Sequence, residues 1–73
     1  MKFGDALDAL EAGQSVKRSG WNGKDQRVYM QHFTGGPYEG MEPCFVLRNA
    51  QGLNQPGWVP SMGDLRAKDW ELA

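Results

Sequence analysis

Cys44 is the only cysteine in this sequence and His32 the only histidine, so the chain has neither an intrachain disulfide nor a zinc site of its own to staple it. Apolar burial must hold it together. At 73 residues this is a tight constraint, because a chain of that length buries only about 60% of its unfolded surface. The sequence therefore reads as one domain over residues 1–73, near the lower size limit for a self-sufficient core. Association between copies is the expected source of further burial. Cys44 precedes Phe45, Val46 and Leu47 and reads as a small buried hydrophobe rather than a nucleophile or metal ligand.

A net charge of −1 argues against a protein that neutralises many phosphates of DNA or RNA. The charges are nevertheless unevenly placed: Lys17, Arg18, Lys24 and Arg27 share a stretch whose one acid is Asp25. That patch suits one or two phosphates. No apolar run approaches the roughly 18 to 20 residues of a membrane span, and the N-terminus lacks the apolar core of a signal peptide. A soluble, cytoplasmic protein is expected.

Phe3, Ala6, Leu7 and Leu10 recur at helical spacing before Gly13, predicting a short amphipathic helix over 3–12. Ser15 to Arg18 and the alternating Arg27 to Phe33 read as the two strands of a hairpin. Either face of the second strand, Val28-Met30-His32 or Arg27-Tyr29-Gln31-Phe33, suits the interior. Thr34 to Glu42, with Gly35, Gly36, Pro37 and Gly40, reads as a loop of the length that carries function. Cys44 to Leu47 reads as a central strand covered on both faces. Another strand is expected around Gly57-Trp58-Val59, at an edge or ending early because Pro56 and Pro60 bracket it. Ser61 followed by Asp64 has the form of a capping box opening one helical turn to about Ala67, and Asp69 to Leu72 alternates as a last strand. The pattern predicts an α+β fold: an antiparallel sheet of four or five strands, the N-terminal helix packed on it, and a short C-terminal helical turn.

Between the first two strands lies Arg18-Ser19-Gly20-Trp21-Asn22-Gly23-Lys24. Asn22-Gly23 is the pair best able to take positive φ at both centres of a tight turn, which would leave Trp21 beside the bend. An aromatic ring flanked by cations suits a ligand that combines a base with phosphate. Core packing of Trp21 is the structural alternative.

Catalysis has little to build on. His32 has no acid placed beside it in the strand to orient it, so no nucleophile and base pair emerges. Asp64 and Asp69 serve equally well as cap and turn acids. Gly35-Gly36 runs into Pro37, which lacks the N–H that a phosphate-cradling loop needs. The sequence therefore favours a protein that is not an enzyme, and it calls for no cofactor or metal.

Phe3-Gly4-Asp5-Ala6-Leu7 with Leu10, Gly13, Arg18-x-Gly20-Trp21-Asn22-Gly23-Lys24, Trp58-x-Pro60-Ser61, Asp64-Leu65 and Ala67-x-Asp69-Trp70-Glu71 form a linked set of motifs. In order and spacing the chain resembles the second Thoeris anti-defence family of phages and prophages. Gln31 to Glu42 is the part that aligns least.

This resemblance implies a molecular sponge in the host cytoplasm. Such a protein binds a cyclic ADP-ribose signal made by TIR-domain enzymes, and in some relatives a cyclic oligonucleotide, without cleaving it. It also implies a homotetramer with ligand pockets shared between protomers; the charge and hydropathy noted above give the expectation of no DNA, RNA or membrane partner. On that reading Trp21 stacks on the adenine or walls the pocket, and Asn22 beside Gly23 offers amide hydrogen bonds. Arg18, Lys24 and Arg27 face the diphosphate, while Trp58, Ser61 and Asp64 complete the pocket from a neighbouring protomer. Each residue has a structural alternative: Asn22 as turn former, Ser61 and Asp64 as helix cap, Trp58 as packing. Phe3 and Trp70 read as core. Two other functions remain open, a small oligomeric adaptor using Trp21 and Trp58 as protein-binding hot spots, and a hydrolase of the same signal using Asp64 or Asp69.

Overall fold

The N-terminal apolar stripe produces α1, Phe3–Glu11, in a computed structural model that describes residues 1–73. Ala6, Ala9 and Leu10 are buried, while Phe3 and Leu7 are half-buried. Nine residues are too few for a helix to persist alone in water, so α1 depends on the sheet beneath it.

That sheet contains β1 (Val16–Arg18), β2 (Arg27–Gln31), β3 (Cys44–Arg48), β4 (Asn54–Pro56) and β5 (Trp70–Leu72). All pairings are antiparallel, in the order β4-β3-β2-β1-β5. Together with α2, Met62–Arg66, this is the expected α+β architecture with five strands. One 3₁₀ turn, Gly36–Tyr38, interrupts the predicted loop.

The register separates the two sheet faces. Val16 lies opposite both Val28 and Leu72, Val28 opposite Leu47, and Met30 opposite Phe45. Because side chains alternate along a strand, Arg18 and Trp70 share this face, which packs on α1 through Ala6, Ala9 and Leu10. The inward face of β2 is thus the Val28-Met30 face. Lys17, Arg27, Tyr29, Val46, Arg48 and Glu71 belong to the helix-free face.

Three local expectations need correction. β2 stops at Gln31 rather than Phe33, leaving His32 exposed beyond the ladder. β3 is an interior strand but not covered on both faces: only Val46 is fully buried, and Cys44, Phe45 and Leu47 are half-buried. The edge strand β4 comes earlier than Trp58. Gly57 and Trp58 both donate their amides to the Phe45 carbonyl, at 2.9 and 3.0 Å, and Gly57 takes φ +82°, which turns the chain off the ladder. Pro56 ends the strand at the sheet edge, where its missing N–H costs nothing.

Candidate functional site

Trp70 organises the site. It is 2% exposed and receives three aromatic neighbours edge to face: Trp21 at 5.4 Å, Phe3 at 5.5 Å and Trp58 at 6.2 Å between ring centroids. Phe45 extends the cluster through Trp58 at 6.4 Å. Each such contact contributes about 0.5–1.5 kcal/mol beyond area burial, and together they fix the half-buried Trp21 and Trp58 rings on a rigid base. The Trp70 indole also donates Nε1–H to the main-chain oxygen of Asp64 at 2.9 Å, which ties α2 to β5.

A polar clamp surrounds this cluster. Arg18, at the end of β1, donates from Nε to Asp69 Oδ1 and from Nη1 to Asp64 Oδ1, both at 2.9 Å. Asp69 Oδ2 accepts the Gly20 amide at 2.9 Å, and the Ser19 amide donates to the Asp69 carbonyl at 3.1 Å. Asp64 is held from a third side. Its Oδ2 accepts the Ser61 amide at 2.9 Å, while its own amide donates to Ser61 Oγ at 3.1 Å, forming the expected reciprocal cap of α2.

The charges respond to this geometry. Burial pushes the Asp64 carboxyl up, but the Ser61 amide, Arg18 and the Ser61 hydroxyl outweigh it, and the net shift is downward. Asp69 is also held below the usual carboxylate range, chiefly by the hydrogen bond from Arg18, with burial opposing and the Gly20 amide assisting. Arg18 is raised above its ordinary value, first by Asp69 and then by Asp64.

The expected Asn22-Gly23 hairpin turn does not form. Neither residue has positive φ; in this connection only Asp25 does, at 61°. β1 and β2 are instead joined by residues 19–26, whose first turn is closed by the Trp21 amide donating to the Arg18 carbonyl at 3.2 Å. Capture of Ser19 and Gly20 by Asp69 decides where the chain bends, overriding the local preference of Asn-Gly. Asn22 and Lys24 are left exposed. Gly23 has no Cβ to collide with the Gln26 side chain that lies over it.

Of the nine candidate residues, Arg18, Trp21, Trp58, Ser61 and Asp64 converge around Trp70 within a single chain. Trp58 thus shares its base with Trp21 without a second protomer. Asn22, Gly23 and Lys24 sit on the adjoining loop. Arg27 is set apart on the helix-free face, where it lines a concavity of about 90 Å³ with Lys17, Asp25, Gln26 and Ala73. The residue that sequence reasoning undervalued is Asp69. Its signal was its position immediately before Trp70, which places it at the mouth of β5 beside the Trp21 loop.

Comparison with known proteins places these features in a family. The model of the Tad2-like domain, described as a Thoeris anti-defense 2-like domain, matches residues 1–73. The chain is similar to the protein named Thoeris anti-defense 2 from Bacillus phage SP01, with 34% identity over 84 residues, covering 99% of this chain and 93% of that protein. With both matches running essentially end to end, the chain belongs to the Thoeris anti-defense 2-like family.

Proposed function

We propose that this protein is an anti-defence sponge that binds and sequesters a cyclic nucleotide-derived immune signal without cleaving it. The signal class is a glycocyclic ADP-ribose made by TIR-domain enzymes, with cyclic oligonucleotides as a further class. The protein acts in the host cytoplasm as a homo-oligomer, a tetramer. The observation that carries this reading is the half-buried Trp21, braced against Trp70 and flanked by exposed Asn22 and Lys24. A ring already fixed in place loses little freedom when a base stacks on it.

The energetics favour a shared pocket. Competing with an effector requires nanomolar binding, about −12 kcal/mol. Stacking one base supplies about 1–3 kcal/mol and each charge-assisted hydrogen bond about 1.5–3, so several groups must converge. The concavity beside Arg27, about 90 Å³, falls well short of the roughly 300–1,000 Å³ typical of small-molecule sites. A pocket completed by a second protomer meets that requirement. Exposed Val59, Met62 and Leu65 offer apolar surface for such association.

In this pocket Trp21 stacks on the base, Asn22 hydrogen-bonds ribose or base, and Lys24 meets the diphosphate. Arg18 commits two donors to Asp69 and Asp64, so it both fixes the loop and has Nη2 left for a phosphate oxygen. Trp58 and the exposed Ser61 form the opposite wall, with Asp64 holding Ser61. Arg27 reaches such a pocket only from a neighbouring protomer.

The test is to incubate pure protein with cyclic ADP-ribose isomers and cyclic oligonucleotides, remove unbound ligand, denature by heat and identify what is released. Recovery of intact signal is the expected result. Release of a cleaved product would replace the sponge with a hydrolase, and failure to take up any nucleotide would overturn both.

A further inference from the structure

Two exposed surfaces of the chain lack a partner within it. The first is the connection between β2 and β3. Phe33 and Tyr38 stack there, with ring centroids 5.6 Å apart and 26° between the planes, on the 3₁₀ turn that contains Pro37. Tyr38 and Met41 are exposed. Residues 28–47 contain no lysine or arginine, and their acids are Glu39 and Glu42, neither of which is in an ion pair. The second surface is α2, where Met62, Leu65 and Arg66 share one side because residues three and four apart are helix neighbours. Val59 precedes this helix and Lys68 follows it; Val59 and Met62 are the most exposed large hydrophobics of the chain. Arg66 and Lys68 have no ion pair either. The acid of this segment, Asp64, is committed to Arg18 and Ser61, and Asp5 in the first turn of α1 accepts the Lys2 amide, so the positive charge beside α2 is not offset locally.

We infer that these two surfaces fit one another between copies: the Tyr38 loop of one protomer docks on α2 of its neighbour. The Tyr38 ring and Met41 cover Val59, Met62 and Leu65, with Glu39 and Glu42 set beside Arg66 and Lys68. Apolar contact supplies the burial, and opposite charge selects the partner surface. Within one chain the 3₁₀ turn and α2 do not touch, so the match is available only to a second copy. The chain has surface to give, exposing 5029 Å² against about 4,500 Å² for a compact monomer of its mass. This inference rests on the shared pocket proposed above and names the element that completes it. Val59 adjoins Trp58 and Met62 adjoins Ser61, so a loop seated on them closes the Trp58 side of the site with the partner's Tyr38.

Light scattering over a concentration series, without nucleotide, tests the contact, with circular dichroism confirming the fold of each variant. Glu39→Lys/Glu42→Lys and Arg66→Glu/Lys68→Glu each set like charges against one another, and each should raise the concentration needed for half-assembly about tenfold or more. An equimolar mixture of the two variants should regain the wild-type mass, because every reversed surface then meets its complement. In the wild type the Trp58 indole NMR signal should shift as the protein assembles, and in either variant alone it should stay still over the same concentrations. A variant that assembles alone as readily as wild type would overturn the proposal, as would a mixture that stays dissociated or a wild-type protein that is monomeric at every concentration. None of these readings involves a ligand, so the contact can fail while nucleotide capture stands, and a protein that captures no nucleotide can still assemble in this way.

Discussion

Arg18 and Asp69 meet at 2.9 Å across 51 residues of sequence, and the second oxygen of the same carboxylate takes the amide of Gly20. The loop that carries Trp21 is therefore positioned by the last strand of the sheet rather than by its own turn chemistry. Four consequences are open to measurement.

Gly20→Ala tests that positioning most directly. A Cβ at Gly20 would lie 2.8 Å from Asp69 Oδ2, too close unless the carboxylate gives way. The expected cost is about 1 kcal/mol, a fall in Tm of about 4–8 °C for a domain of this size. Faster amide exchange should be confined to residues 19–26. Equal exchange rates in wild type and variant would count against the clamp.

Acid should weaken the fold through the same carboxylates. Asp64 and Asp69 lie below their ordinary value of 3.8 when folded, so their contribution is fully present above that value and is lost as pH falls through the depressed folded values. Urea midpoints measured from neutral pH downward should drop below about pH 4. The drop should be shallower in Asp64→Asn and Asp69→Asn, which start from lower stability; identical slopes would place the acid sensitivity elsewhere.

Trp21→Ala separates packing from recognition. Because the ring is half-buried, truncation should destabilise the protein by less than the about 3–5 kcal/mol typical of buried aromatics. Loss of base stacking, about 1–3 kcal/mol, should weaken nucleotide binding by about tenfold or more. Trp21→Phe should recover much of both. Calorimetric titration of a folded Trp21→Ala protein with unchanged affinity would remove Trp21 from the site.

Val59 is 79% exposed and Leu65 48% exposed, on and beside α2. If they support self-association, Val59→Asp with Leu65→Glu should lower the mass observed by light scattering while leaving circular dichroism intact. An unchanged mass would move the contact to another surface.

What was legible in the sequence was local. The α1 stripe and the Ser61-Asp64 cap depend on residues three or four positions apart, and both stand where expected. Trp70 read as core on the general tendency of large aromatic rings to be buried, and it is 2% exposed. The Asn22-Gly23 turn was misplaced because its competitor, Asp69, lies far along the chain. Likewise, nothing near Arg18 signals that its partners are 46 and 51 residues away. Arg27 was grouped with Trp21 by proximity in sequence, whereas strand alternation and the intervening loop send the two to opposite sides of the sheet.

The strand order also governs when the Trp21 loop can be fixed. β5 is made after the other four strands, yet it pairs with β1, and its Trp70 with the adjoining Asp69 pins the ring and the loop that precede them by some fifty residues. A nascent chain still lacking this strand has neither the anchor for Gly20 nor the platform for Trp21. Loop closure over such a separation is slow relative to local structure, so the Trp21 loop is fixed only once β5 has been made and docked, together with completion of the sheet.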